Sequence, residues 1–513
     1  MIVETTAGKL CGISIGPITG FLGIPYAAPP IPPHRFMAPR TAASWAGVRD
    51  AVRFANQAPQ VLFAFLDPAL ANDPAQDANR AFHRGVADPV TPYGEDCLAL
   101  NVWTPAATGK RPVMVWLHGG GFASGSGSWG VWTGETLAAQ QDVVVVTLNH
   151  RLNIFGFLSL QDHGGAAHGY ATNVGMRDIV MALEWVRDNI AAFGGDAGNV
   201  TIFGQSGGGM KVSTLMAMPA AKGLFHRVIV QSGPSLRAVP RQRAAEVAGR
   251  ALAHLGCGLA GLQSVSVAAL LSAFTAAREG ARGVPRQFGP VVDGGTLPSD
   301  PFETAAPALA AGIPMLIGAT SEEVTSLIGF GDPSIFSLTA GELVARVALE
   351  CGIDEAAAGA LVATYRDARP AASPSQLFAA MTSDRRFGFG SVVEAERQAA
   401  QGTVFAYRLV WQSPAAAGRY GAPHNLDLPL VFGRDRAPGV TGDGTAHHAL
   451  SAAMQTAWGN YARTGSPNHA GLPAWPAFDT ARRATMVFDA VCGVAHDPGR
   501  AERLAQAALP ARL

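Results

Sequence analysis

Asn199-Val-Thr-Ile-Phe-Gly-Gln-Ser-Gly-Gly-Gly209 is the stretch on which the fold turns. Val200, Ile202 and Phe203 read as a short buried strand. Gly204, Ser206 and Gly208 follow in the pattern G-x-S-x-G, and a helix-like segment runs from Gly209 to Met218. A strand that turns sharply into a helix forces a serine at the apex into a strained backbone conformation. Glycine is needed two residues before and after it, because a Cβ there would collide with neighbouring backbone. Such a turn holds Oγ out in front of the sheet, and the helix start behind it offers free N–H groups to developing negative charge. With 60 glycines in 513 residues the five-residue pattern alone could be an ordinary turn, so the flanking strand and helix carry the reading.

Outward from this turn, Pro112-Val-Met-Val-Trp-Leu117 and Asp142-Val-Val-Val-Val-Thr-Leu148 are near-continuous apolar runs, as expected of strands buried on both faces. Asn173 to Phe193 carries Ile179, Leu183, Val186 and Ile190 at helical spacing. Further strands are predicted at Arg227–Ser232, Ile313–Thr320, Val404–Trp411 and Thr485–Asp489, and helices at Thr445–Arg463 and Ala501–Ala508. Ala-rich helices follow residue 240, and helices dominate 340–400. Strands alternating with helices indicate a mostly parallel α/β sheet. The first fifty residues mix short strand-like pieces with Gly and Pro, and 60–94 reads as a long surface excursion. No linker, charge block or repeat divides the chain, so 1–513 reads as one domain with helical insertions.

Composition narrows the function. Net charge is zero by formal count, which gives no electrostatic case for nucleic acid or an anionic membrane surface. No run of 18 apolar residues suggests a membrane span, and the start lacks a basic and then apolar leader, so a cytoplasmic protein is expected. Cys11, Cys97, Cys257, Cys351 and Cys492 lack CxxC spacing, which argues against zinc and against a disulfide scaffold; no metal or cofactor is expected. Lysine is scarce (Lys9, Lys110, Lys211, Lys222) while Arg and Ala abound, a bias of GC-rich bacterial genomes.

A serine that attacks a carbonyl needs a base, a carboxylate to orient the base, and donors for the oxyanion. His118-Gly-Gly-Gly-Phe122, directly after a core strand, is an HGGG-type loop in which Gly119, Gly120 and Gly121 can turn backbone N–H groups inward. Gly318-Ala-Thr-Ser-Glu-Glu323 ends a later strand and offers two adjacent carboxylates, Glu322 and Glu323. His424 lies in a loop punctuated by Gly421 and Pro423; His447, His448 and His469 compete, the first two reading as a capping or solvated pair at a helix start.

The chain resembles the type-B carboxylesterase/lipase family of α/β-hydrolases, in particular bacterial carboxylesterases of the para-nitrobenzyl-esterase kind. The likeness runs from Gly23-Ile-Pro-Tyr-Ala27 to Trp475-Pro-Ala-Phe478. Glu95-Asp-Cys-Leu-Ala-Leu-Asn-Val-Trp103 and Phe203-Gly-Gln-Ser-Gly-Gly208 look like the two family signatures, and Asn149–Phe157, Phe193-Gly-Gly-Asp196, Gln231-Ser-Gly233 and Pro290-Val-Val-Asp-Gly294 also match. The resemblance implies an α/β-hydrolase fold, a mostly parallel sheet flanked by helices with helical insertions forming a lid or regulatory region. It implies Ser206 as nucleophile, His424 as base, Glu323 rather than Glu322 as orienting acid, Gly120, Gly121 and Gly207 as the oxyanion hole, and Ser232 as support for the acid. The activity implied is hydrolysis of neutral carboxylic esters of small molecules by a monomer or homodimer. Carbamate or aryl-amide hydrolysis is the alternative, and a non-catalytic binding module a more distant one.

Departures from the family pattern bear on substrate. Gln205 stands where many relatives carry Glu, and no tryptophan lies between Val52 and Asp96, which argues against choline esters. Gly207 replaces a usual Ala, which keeps the N–H and is expected to loosen the turn. Ala58 takes the place of a frequent disulfide partner, so Cys97 should be a thiol. Gln205, Trp129 and Trp132 are candidate pocket residues, and Val284 to Phe288 is expected to border the acyl side.

Overall fold

The computed structural model describes residues 1–510 except 62–80, 83, 85, 87–90, 280–287 and 435–436. Most of the expected 60–94 excursion, and residues 284–287 of the expected acyl border, lie outside the described residues.

The chain builds a thirteen-stranded sheet. Its strands are β1 (Ile2–Thr5), β2 (Gly8–Ile15), β3 (Ile18–Pro25), β4 (Val48–Ala51), β5 (Ala99–Thr104), β6 (Arg111–Leu117), β7 (Val144–Leu148), β8 (Gly195–Gln205), β9 (Arg227–Gln231), β10 (Met315–Thr320), β11 (Val404–Leu409), β12 (Ala484–Phe488) and β13 (Gly493–His496). They lie in the order β1-β2-β3-β5-β7-β6-β8-β9-β10-β11-β12-β13, with β4 beside β2. Neighbours from β7 to β12 in that order run parallel, while the pairs outside them on the main path are antiparallel. The mostly parallel reading therefore describes the centre of the sheet and not its ends.

Side chains alternate across each central strand. Val113, Val115 and Leu117 of β6 enter one apolar core, and Met114 and Trp116 the other. Ile202 of β8 joins the first and Phe203 the second. Both faces are covered, which is why these strands read as unbroken apolar runs. The helix Val174–Asn189 and the short turn after it bury Ile179, Leu183, Val186 and Ile190 completely, as their spacing predicts. Helices Ala340–Cys351, Glu355–Ala368 and Pro374–Ser383 gather a separate core of their own. A single wide turn, Asp384–Gly388, of the i→i+5 kind, joins the last of these to the helix Phe389–Ala399.

Candidate active site

Strand register brings the predicted pieces to one edge of the sheet. Leu117 of β6 is level with Gly204 of β8, Gln205 with Gln231 of β9, and Gln231 with Gly318 of β10. The residues that follow these strand ends are His118–Gly121, Ser206, Ser232 and Ala319–Glu323. The Ser206 amide donates to Gln231 O at 2.8 Å, and the Ser232 amide to Gly318 O at 2.8 Å, so the three turns are stitched to one another. Ser206 has φ 57° and ψ −124°, a conformation that a non-glycine residue rarely holds and that costs about 1–3 kcal/mol. It immediately precedes the helix Gly207–Met216. The flanking glycines have the predicted cause: a Cβ at Gly204 would meet the Gly208 backbone at 2.5 Å, and one at Gly208 would overlap the Leu117 carbonyl oxygen.

His424 and Glu323 meet on the same edge. His424 Nδ1 bonds Glu323 Oε2, and Glu323 Oε1 accepts from the Thr320 amide at 2.8 Å. Both side chains are buried. Because the carboxylate can only accept, Nδ1 carries the proton and Nε2 is left as the basic nitrogen. Glu322 turns the other way. Its Oε2 accepts from the Ala422 amide at 2.9 Å and from Ser321 Oγ at 2.5 Å, so it ties down the loop that carries His424 without touching the ring. Gln205 is fully buried, and its Nε2 lies 3.1 Å from His424 Nε2 and 3.4 Å from Nδ1. Phe387, from the wide turn, packs on the imidazole with ring centres 4.9 Å apart. No hydrogen bond joins Ser206 Oγ to the ring among the described residues; the residue before the serine makes that contact instead.

The glycine loop closes the third side. Gly120 and Gly121 have φ of +87° and +62°, and a Cβ at Gly119 would lie 3.6 Å from Ser206 Cβ. A Cβ at Gly207 would overlap the backbone of Gly121. This corrects the expectation that glycine at 207 loosens the turn: its missing side chain lets the loop sit in contact with the helix start. None of the amides of Gly120, Gly121 and Gly207 donates to an acceptor among the described residues.

The carboxylesterase family model matches residues 1–499. The chain belongs to the carboxylesterase family. It is 36% identical to the para-nitrobenzyl esterase of Bacillus subtilis, over 98% of this chain and 97% of that protein. It is 33% identical to the phenmedipham hydrolase of Pseudarthrobacter oxydans, covering 98% of each, and 31% identical to the liver carboxylesterase of Sus scrofa, covering 93% and 88%. Among solved structures it resembles a carboxylesterase of Geobacillus stearothermophilus (TM-score 0.82, 38% identity, 98% and 99% covered) and a thermophilic PNB esterase (TM-score 0.82, 34% identity, 99% of each). This carboxylesterase is therefore a serine-class carboxylic ester hydrolase on the α/β-hydrolase fold.

Other expectations fare unevenly in the carboxylesterase. Trp129 and Trp132 are buried and pack on each other. They stack 5.4 Å apart, Trp132 leans on Trp116, and their indole N–H groups donate internally to Gln57 Oε1 and Ser126 O, each at 2.8 Å. Phe288 is buried against Phe274, ring centres 4.9 Å apart. Ser232 donates its amide to Gly318 O of the strand that leads to Glu323, and its Oγ is buried. His447 is buried against Trp411 and His448 rather than solvated, and His469 caps an unrelated turn. No disulfide joins the five cysteines, and Cys97 is a buried thiol. Among the described residues no three His, Cys, Asp or Glu side chains gather as a metal cluster.

One carboxylate was not singled out from the sequence. Asp427 opens the helix Asp427–Phe432, three residues after His424, and accepts from Gln231 Nε2 at 2.6 Å. Burial, and then the charge of Glu323 nearby, raise its carboxyl to about 6. The signal was available: an acidic residue inside the apolar run Leu426-Asp-Leu-Pro-Leu-Val-Phe432 is buried with the run.

Proposed function

We propose that Ser206, His424 and Glu323 are the catalytic triad of this carboxylesterase, acting on neutral carboxylic esters through an acyl-enzyme. The observation that carries the reading is the Glu323–His424 Nδ1 bond on the strand edge where Ser206 is held at positive φ. Glu323 fixes the tautomer, so Nε2 can take the Oγ proton as oxygen adds to the ester carbon. The resulting alkoxide falls to the amides of Gly120, Gly121 and Gly207, donors worth ~10²–10³ in rate each. Collapse expels the alcohol, which takes the proton from His424. Water then adds by the same route and frees the acid and Ser206. Gln205 contributes an amide in place of a carboxylate beside the reacting serine, which removes any attraction for a cationic alcohol and favours neutral substrates.

The test is turnover of para-nitrophenyl butyrate. Ser206→Ala should lower kcat by at least about 10³-fold, and Glu323→Gln by about 10²-fold or more. Glu322→Gln, which only loosens the loop, should cost under about tenfold. Residual full activity in Ser206→Ala would sink the triad, and equal losses for the two glutamates would move the acid. A matching ester, carbamate and anilide run on one preparation rank the bonds cleaved, with the ester expected fastest.

We further infer one catalytic domain over 1–513, working as a monomer or homodimer in a bacterial cytoplasm on dissolved small esters. The disulfide-free cysteines suit a reducing compartment, and size-exclusion chromatography of purified protein measures the assembly.

A further inference from the structure

One of the four lysines, Lys211, is fully buried in the helix that follows Ser206. Its Nζ donates to the carbonyl oxygens of His118 and Gly121, each at 2.9 Å, at the two ends of the glycine loop. The Phe122 ring centre lies 5.6 Å away, and no carboxylate pairs with the ammonium among the described residues. Its titratable neighbours are His118 and His150, whose rings stack 4.9 Å apart at 9°. Burial and then the Lys211 charge hold both imidazoles well below their usual range, so neither competes for its proton. Burial alone pulls the ammonium down to about 7. A buried cation with no counter-ion is costly, and an apolar side chain would fill the space at lower cost. Its two bonds therefore point to a task other than packing.

The loop shows the task. All of its carbonyls are bound: His118 O and Gly121 O by Lys211, Gly119 O by His118 Nδ1 at 2.8 Å, and Gly120 O by the Ser124 amide at 3.1 Å. In a trans peptide the N–H points opposite to the C=O. The Gly120 and Gly121 amides thus point opposite to Gly119 O and Gly120 O, which His118 Nδ1 and the Ser124 amide hold, and Lys211 holds the peptide on either side of that pair through His118 O and Gly121 O. That hold also explains the fit at Gly207, where any Cβ would overlap Gly121. We propose that Lys211 is a positioning residue for the oxyanion hole: its ammonium clamps the peptides at both ends of the Gly119–Gly121 turn through His118 O and Gly121 O, which seats the glycine loop on Gly207 and holds the Gly120 and Gly121 amides, between the two clamped peptides, in place for the reacting carbonyl. The proposal rests on the assignment of Ser206 and this loop made above.

The experiment compares Lys211→Met with the wild-type enzyme in kcat, KM, thermal midpoint and inhibition by an alkyl trifluoromethyl ketone. That ketone adds the serine oxygen to give a tetrahedral alkoxide in the oxyanion site, so its Ki reads the hole directly. Lys211→Met should lose at least about tenfold in kcat, with KM within about threefold, and the ketone Ki should rise in step with the fall in kcat/KM. The thermal midpoint should hold or rise, because an unpaired buried charge is removed. A kcat within about twofold of wild type, or a loss that leaves the ketone Ki unchanged, would overturn the proposal. If Lys211→Met does not fold, Lys211→Gln decides: its shorter, neutral amide cannot hold both carbonyls as the ammonium does and should give the same paired loss, whereas wild-type kcat and Ki in that variant would overturn the seating. An inactive Ser206→Ala beside a fully active Lys211→Met would fail this inference alone; an active Ser206→Ala would fail the reading beneath it.

Discussion

At the scale of single residues, position 205 sets the electrostatics around His424, the proposed base. Gln205 presents an amide to His424 and leaves its own Oε1 buried without a partner among the described residues, a cost of about 1–3 kcal/mol. A carboxylate at that place would favour the imidazolium. Gln205→Glu should therefore raise the pKa of the base and move the acid limb of the kcat/KM profile to higher pH by about one unit, with more activity lost at pH 6 than at pH 8. A pH–rate profile on a para-nitrophenyl ester checks this, and an unmoved limb would mean that the two side chains are apart in solution. The turn at Ser206 and the glycine loop were legible because Gly and strand ends punctuate the chain there, whereas the same signals left Glu322 beside Glu323 and other histidines beside His424, and only the family resemblance chose between them. The amide contact of Gln205 was not legible, since it depends on which of two faces the residue before the serine presents to a loop more than two hundred residues away.

At the scale of elements, the wide turn Asp384–Gly388 and the helix Asp427–Phe432 flank the histidine, and neither contact could be read from spacing. The helix carries the stability prediction. Asp427 has a carboxyl at about 6, against ~3.9 in the unfolded chain. The folded state thus binds the proton more tightly, and the cost of the buried charge is absent below about pH 4, grows between pH 4 and 6, and is complete above pH 6. Asp427→Asn should raise the thermal midpoint more at pH 7.5 than at pH 4.5, the difference amounting to at most about 3 kcal/mol. Melts at the two pH values measure it; a gap that does not widen with pH would contradict the burial argument. Central strands other than β8 were found to within a residue or two because both their faces are apolar, whereas β8 starts at Gly195, ahead of the apolar Val200–Phe203 stretch that was read as the strand. The N-terminal strands were not resolved one by one: β2 and β4 each bury only a single residue and carry no clean period. Trp129 and Trp132 were ambiguous for a related reason, since an aromatic pair after a glycine loop packs a core or lines a pocket with the same sequence.

At the scale of the whole molecule, the parallel centre and antiparallel flanks of the sheet were only half legible, because alternation of strands with helices reports the crossovers and is silent where strands adjoin by hairpins. Register, which sets all three turns on one edge, follows from the sheet and not from any local pattern. The cysteines give this architecture a clock. Cys97 is buried in the main core, where burial pushes its thiol far up, and Cys351 is buried in the separate helical core. Cys11, Cys257 and Cys492 are only half-buried. A thiol reagent applied in pulses should modify those three at once and the two buried thiols only as each core opens. Cys351 is expected to react before Cys97 under mild urea, read by mass spectrometry of the labelled peptides; equal rates would make the helical layer and the sheet one cooperative unit. The same two sulfur atoms would then time, without any introduced probe, how far the helices beside His424 can part from the sheet before the enzyme itself unfolds.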